Sequence, residues 1–246
     1  MSTCRHGSSG TRAPGGRPPS RTGEYGASPS HSCRSCLPTC LARRLWSSAA
    51  AAGTSRRGWR GARPVGVDVS ARQLAVARGL QGEFGLRFPL VQGDAEQVPL
   101  AAGCADLVIS EYGASVWCDP YRWIPEAARL LRPGGRLVFL AQSTLARICM
   151  PEQGPATDRL VRDLFGLHRV VRRGTSGAQY RLFALPHGEW IRLMARCGLM
   201  VEDLIEVQVP PGAANNDFPE FPDEWVRRWP AEEVWCVRRG PARTDR

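Results

Sequence analysis

Arg63-Pro-Val-Gly-Val-Asp-Val-Ser70 is the stretch on which the reading of this chain turns. A short apolar run from Val65 to Val69 carries a carboxylate, Asp68, at its end. Ser70 then opens a helix with Gln73 three residues on, the pattern of a capping box. The predicted order is strand, acid, helix. An acid at the carboxyl end of a buried strand costs energy unless something pairs with it, and in open α/β sheets that end faces a ligand crevice. Asp68 is therefore a candidate to bind a ribose, although an Asp that merely ends a strand or caps a turn fits the octapeptide equally well.

Working outward, Phe88-Pro-Leu-Val-Gln-Gly-Asp-Ala95 repeats the pattern, a second strand ending at Asp94, with Glu96-Gln-Val-Pro-Leu100 as a loop behind it. Ala105–Ser110 and Gly135–Leu140 supply two more apolar runs. Between them Ile124, Ala127, Ala128 and Leu131 fall at helical spacing, and Arg132-Pro-Gly-Gly135 ends that helix. Asp119-Pro120 reads as an N-cap and first helical residue, but Pro125 inside a helix would cost about 3 kcal/mol, so a turn is expected first and regular helix only from Ile124. Strands alternating with helices imply parallel strands joined by right-handed crossovers.

Val65–Ser70, Val91–Ala95 with Val98-Pro99, Ala105–Ser110 and Leu130-Leu-Arg-Pro-Gly-Gly-Arg136, in this order, resemble the class I S-adenosylmethionine-dependent methyltransferases of the type 11 domain kind. The resemblance covers residues 61–140 and extends in outline to residue 239. It implies an α/β fold: a Rossmann-like, doubly wound, mostly parallel sheet with an antiparallel closing strand. It also implies S-adenosyl-L-methionine as cofactor and a small-molecule methyl acceptor. On this resemblance Asp68 accepts from the ribose hydroxyls, Asp94 from the adenine amino group, Val69 and Ala95 border the adenine, and Ser110 lies near the methionine portion. Asp106, before its strand, takes a structural role.

Composition sets the other bounds. The 246 residues suit one large domain or a domain with an appendage. The net charge of +10 suggests nucleic acid until it is located: residues 1–60 hold ten Arg against one acid, Glu24, while residues 61–246 hold 23 Arg against 22 acids. The folded part is nearly neutral. Lysine is absent, as expected of a very GC-rich gene. Nine cysteines, four of them in the first 40 residues, do not make a secreted disulfide framework. No apolar run reaches the roughly 18 residues of a membrane span. A cytoplasmic enzyme without a membrane partner is the expectation, its oligomeric state open.

Residues 1–60 read as a low-complexity, disordered segment rich in Ser, Gly, Arg, Ala and Pro. Cys33, Cys36 and Cys40, with Cys4 or His31, have ligand-like spacing but no hydrophobic frame, and the scattered arginines lack the interleaved aromatics of a nucleic-acid arm. In the resembled family a first strand and a glycine-rich turn precede the Asp68 strand, so that backbone N–H groups approach the cofactor. Here Trp46–Gly61 stands in that place and lacks the motif. Back-translated with one choice of GC-rich codons and read one nucleotide out of register, Trp46–Gly61 yields V-E-R-G-C-G-G-H-V-S-A-W-L-A-R, which is similar to the missing turn and its helix. The expectation is that the first sixty or so residues are an out-of-frame translation joined near Gly61 to the genuine frame; gene sequencing tests it.

Within residues 61–246 the core spans 61–140, a lid or insertion 141–185, and a closing helix and strands 186–239. Ala71, Leu74, Ala75 and Ala77 give a small helix face, with Gly79–Gly85 as a return loop. Tyr112 and Trp117 either wall the acceptor pocket or pack a loop onto the core. The arginines of 141–185, Arg169, Arg172 and Arg173 among them, suit a solvated surface or an acidic acceptor. Trp190, Leu193, Met194 and Cys197 form a helix stopped by Gly198, followed by a strand over Leu199–Val209. His187 is either a general base or a capping residue. No catalytic residue is obligatory, because methyl transfer from a sulfonium is mainly a matter of positioning. Two other classes compete: an NAD(P)-dependent oxidoreductase, in which a ribose-binding acid also follows a second strand, and a non-catalytic methyltransferase-like protein lacking its glycine turn.

Overall fold

The computed structural model describes residues 45–47, 62–174, 177–210 and 220–241. The cysteine cluster, the arginine arm and the place of the glycine-rich turn lie outside them. The strands are β1 (Leu45–Ser47), β2 (Pro64–Asp68), β3 (Leu90–Gln92), β4 (Ala105–Glu111), β5 (Leu131–Gln142), β6 (Arg169–Arg173), β7 (Gln179–Phe183), β8 (Leu199–Glu206) and β9 (Glu232–Arg239). The helices are α1 (Ala71–Phe84), α2 (Gly113–Trp117), α3 (Pro120–Leu130), α4 (Thr144–Cys149), α5 (His187–Arg196) and α6 (Asp223–Val226).

Seven of the strands form one sheet in the order β3-β2-β1-β4-β5-β9-β8, and β6 and β7 pair separately as a hairpin. The pairs within β1–β5 are parallel, whereas β9 runs antiparallel to both β5 and β8. The expected Rossmann-like sheet with an antiparallel closing strand is therefore present. Its order reverses at β1, with β2 and β3 on one side and β4 and β5 on the other. In open α/β sheets such a reversal is where ligands bind, here beyond the carboxyl ends of β1 and β4. One strand of the sheet, β1, comes from before Gly61 and lies between β2 and β4.

Several local expectations are corrected. Gly79–Gly85 is not a return loop: α1 runs to Phe84, and Gly85 closes it with φ 61°, its N–H reaching back to the helix carbonyls. The Ser70 cap accepting from the Gln73 N–H and the burial of Leu74 and Ala77 start the helix strongly enough to carry two interior glycines. Helix α3 begins at Pro120 and not at Ile124. The Asp119 side chain accepts from the Tyr121 N–H, Pro120 needs no partner at the first position, and Trp123, Ile124, Ala127 and Leu130 are all buried. That burial outweighs the cost of Pro125, whose ring lies on the exposed side. Residues 141–185 contain regular elements, namely the end of β5, α4 and the β6–β7 hairpin. The strand expected over Leu199–Val209 ends at Glu206.

At the end of α3 the ladder between β4 and β5 breaks, with Ala105 opposite Leu131 and then Leu107 opposite Arg136. Arg132–Gly135 occupies the bulge. Gly134 has φ +76°, and a Cβ on Gly135 would lie 2.9 Å from the Arg132 carbonyl oxygen. Arg132 also pairs with Asp106, so that acid ties this turn to the start of β4. The core centres on Phe139 of β5, whose ring meets Trp123 edge-on at 5.2 Å, Trp190 at 5.4 Å and Trp235 stacked at 6.0 Å. α3, α5 and β9 are thereby fixed on the strand that leads to the rim.

Candidate functional site at the carboxyl rim of the sheet

Adjacent strands bring the two predicted aspartates together. Asp68, the last residue of β2, is the register partner of Gln92, and its carbonyl accepts from the Gly93 N–H at 3.1 Å. Asp94 follows one residue later. Each carboxylate is fixed by one oxygen: Asp68 Oδ1 accepts from the Ser70 N–H at 2.8 Å and Asp94 Oδ1 from the Glu96 N–H at 2.9 Å. Among the described residues neither Oδ2 has a protein donor, so each acid keeps one oxygen outside the hydrogen bonds of its own loop. Val69, beside Asp68, is 70% exposed, an apolar surface next to two acceptors. Asp94 is exposed and Ala95 half-buried.

The loop that carries Asp94 is held from α3. Glu126 Oε1 accepts from the Val98 N–H at 2.7 Å, and Arg129 donates to both Glu126 oxygens at 2.7 Å. Arg129 also donates to the carbonyls of Leu100 and Val98, at 2.9 and 3.0 Å. The Arg129 hydrogen bonds hold the Glu126 carboxyl below its ordinary range. Glu96 is used in the same way, accepting from the Asp119 N–H at 2.8 Å and pairing with Arg122 at 3.0 Å. Sequence reading missed this frame. The i, i+3 spacing of Glu126 and Arg129 was its one visible trace.

Ser110 lies at the end of β4 beside the topological switch, but it is 1% exposed. Its Oγ accepts from the Ser115 N–H at 3.1 Å, and Ser115 Oγ donates to the Leu140 carbonyl at 2.7 Å. The side chain thus fastens α2 to β4 near the carboxyl end of that strand, where the resemblance places the methionine portion. Glu111 follows it, with a carboxyl pushed up by burial. Tyr112 is the positive-φ non-glycine residue among those described, at φ 54°, and its hydroxyl donates to Glu232 at the start of β9. Burial and then the Glu232 charge raise the phenol well above its ordinary range, and burial raises Glu232 as well.

Trp117 is 49% exposed, its ring tilted against Tyr180 of the β6–β7 hairpin at 6.0 Å. His187 stands at the start of α5, bonded through Nε2 to the buried Glu233 at 2.9 Å and edge-on to Trp235 at 5.7 Å. Glu233 is opposite Ala141 of β5 and also accepts from Trp235 Nε1 at 3.0 Å. A ring nitrogen used in this way fastens α5 to the sheet. Among the described residues no group of His, Cys, Asp and Glu is arranged to hold a metal ion, and no helix is long and apolar enough to cross a membrane.

Comparison with known proteins gives the following. The sequence profile of a family described as "Methyltransferase domain" matches residues 47–139. The chain is 33% identical over 147 residues to the uncharacterized protein YafE of Escherichia coli, covering 59% of this chain and 63% of that one. It is 37% identical over 119 residues to the malonyl-[acyl-carrier protein] O-methyltransferase of Enterobacter lignolyticus, covering 47% and 44%. The chain therefore spans less than two thirds of the length of either relative. A solved S-adenosylmethionine-dependent methyltransferase of Mesorhizobium loti superposes with a TM-score of 0.58 at 21% identity, covering 80% of this chain and 91% of that one. This last likeness is one of fold.

Proposed function

We propose, for a chain whose residues 47–139 belong to the methyltransferase domain family, that it is an S-adenosylmethionine-dependent methyltransferase acting on a small-molecule acceptor. The observation that carries the reading is the pair of neighbouring acids at the ends of β2 and β3, each with one oxygen anchored and the other open, beside the exposed Val69. Hydroxyls of a ribose would donate to Asp68 and an exocyclic amine to Asp94, while Val69 and Ala95 would border the base between them. Ser110 would act by positioning the switch-point loop. The cofactor, when bound, supplies a methyl group on a positive sulfur.

The protein's own part is to hold donor and acceptor in line, and positioning of this kind can supply several kcal/mol of barrier reduction. An acceptor that must lose a proton would need a base. Glu111 and the Tyr112–Glu232 pair, at the carboxyl end of β4, are the groups on this rim whose burial suits that task. His187, bonded to Glu233, would serve packing. The malonyl-[acyl-carrier protein] O-methyltransferase relative supports methyl transfer without fixing the acceptor.

Calorimetric titration with S-adenosylhomocysteine and, separately, with NAD tests the reading. Binding of the first, weakened at least tenfold by Asp68→Asn and by Asp94→Asn, is the expected result; binding of NAD alone would replace the reading with an oxidoreductase. The chain as written is expected to bind weakly and a version with the register before Gly61 corrected to bind well. Equal affinity in the two would refute the frame-error account while leaving the methyltransferase reading intact.

A further inference from the structure

Arg147 is the buried cation that the fold does not explain. It lies on α4, directly after the carboxyl end of β5, and is 2% exposed. Among the described residues its Nε and Nη1 are buried without a hydrogen-bond partner. Two more arginines lie within electrostatic reach, Arg172 and Arg162. Arg172, 4% exposed on β6, donates to the carbonyls of Pro151 and Gly154, while Arg162 leaves Nε and Nη2 buried and unpaired. Among the described residues no carboxylate forms an ion pair with any of the three. The remaining titratable groups that act on Arg147 are two phenols, Tyr112 at the end of β4 and Tyr180 opposite Arg172 in the hairpin.

An unpaired buried guanidinium is among the costliest groups a fold can hold, at several kcal/mol in desolvation alone. A packed interior would ordinarily place an apolar residue there. Burial, with Arg172 and Arg162 nearby, lowers the Arg147 pKa to about 10, so the group remains charged at neutral pH and its counter-charge has to come from elsewhere. Tyr112 directly follows β4, the strand beside the topological switch, and the hairpin packs against α2 through Tyr180 and Trp117. The cationic cluster thus borders the rim where the methyl acceptor would enter.

We propose that the acceptor carries an anionic group, a carboxylate or a phosphate, that is bound by the Nε and Nη1 of Arg147. Arg172 and Arg162 add their field to the same anion, and the rings of Tyr112 and Tyr180 flank it. This rests on the methyltransferase reading for the identity of the ligand as acceptor, but not for the existence of the anion site.

The test uses the full chain and needs no cofactor. Benzoate, its neutral isostere benzamide, and inorganic phosphate are titrated by thermal shift and calorimetry into wild type, Arg147→Met and Arg147→Lys. Benzoate or phosphate should raise the wild-type Tm in a saturable way and benzamide should not, and the better of the two anions identifies the chemistry. Arg147→Met should weaken that binding about 10- to 100-fold, the worth of a charge-assisted hydrogen bond, with Arg147→Lys intermediate. The ligand-free Arg147→Met protein should melt higher than wild type, since an unsatisfied charge has been replaced by an apolar side chain of similar length. A lower ligand-free Tm would make Arg147 a structural cation and overturn the proposal, as would equal responses to benzoate and benzamide. S-adenosylhomocysteine binding reports on the parent reading: its absence from both the chain as written and the register-corrected version defeats the methyltransferase assignment, whereas its presence in either beside an absent anion response defeats only the anion site.

Discussion

Replacing Glu126 by Gln probes how far the loop that carries Asp94 depends on a helix that does not itself touch the rim. The substitution keeps an oxygen for the Val98 N–H but puts an amide opposite Arg129, removing the bidentate pair at 2.7 Å. A charge-assisted hydrogen bond is worth about 1.5–3 kcal/mol. The Glu126 side chain is 10% exposed but that of Arg129 is 37% exposed, so solvent returns part of the loss and about 1–2 kcal/mol remains. For a domain of this size that is a fall in Tm of about 2–8 °C. Because Arg129 holds the Glu126 carboxyl below its ordinary value of 4.5, the pair's contribution is complete above that pH and fades as pH falls through the folded value. Urea or thermal unfolding from neutral pH downward should show a constant gap between wild type and Glu126→Gln that closes only on the acid side of 4.5. Binding of S-adenosylhomocysteine should weaken in parallel, since the loop from Asp94 to Leu100 is freed. An unchanged Tm, or a gap that persists into acid, would refute the claim that this ion pair holds the loop.

Gly79→Ala and Gly82→Ala should each stabilise the protein by about 0.5–1 kcal/mol in chemical denaturation, because both glycines sit inside α1 where an added Cβ meets nothing within 4 Å. Gly135→Ala should destabilise it by about 1–3 kcal/mol, as its Cβ would stand 2.9 Å from the Arg132 carbonyl oxygen and 3.2 Å from that of Asp106, both backbone atoms. The hydrogen bond from Glu233 raises the His187 pKa above 6.5, so the stability the charged pair supplies is full below 6.5 and lost as pH rises through the folded value. The stability gap between wild type and His187→Phe should therefore be widest near pH 6 and narrow toward pH 9.

What could be read without coordinates was local. Asp68 and Asp94 announced themselves because each closes an apolar run and precedes a polar turn, and strand order then makes such positions neighbours. The antiparallel β9 needed the family resemblance, since alternation along Glu233–Arg238 says nothing about direction. Pro125 misled by the opposite route: propensity argued against a helix through it, but the Asp119 cap and the burial of Trp123 and Ile124 overrode propensity. Arg147 was invisible as a site residue. A lone arginine among Leu145, Ala146, Ile148 and Cys149 reads as the solvent side of a short helix, and only tertiary packing turns it inward.

Tyr112 shows how that packing bears on the rim. A side chain at φ 54° is held against a backbone preference of roughly 1–2 kcal/mol, and the phenol-to-Glu232 hydrogen bond is one contact that offsets it. Glu232 is raised above 4.5 by burial first, and the Tyr112 hydrogen bond opposes that rise. An acid with a raised folded pKa binds its proton more tightly folded than unfolded, so stability falls as pH climbs through the interval between the two values. Tyr112→Phe removes the opposing hydrogen bond and should extend that interval upward. Wild type and variant should unfold at similar denaturant concentrations below pH 4.5, where a raised acid is protonated in both, and separate by about 1–3 kcal/mol as pH rises through the folded value and the buried carboxylate is left without its donor. Parallel pH profiles would mean that the phenol contributes nothing to the Glu232 charge, and the strain at Tyr112 would then need another counterweight.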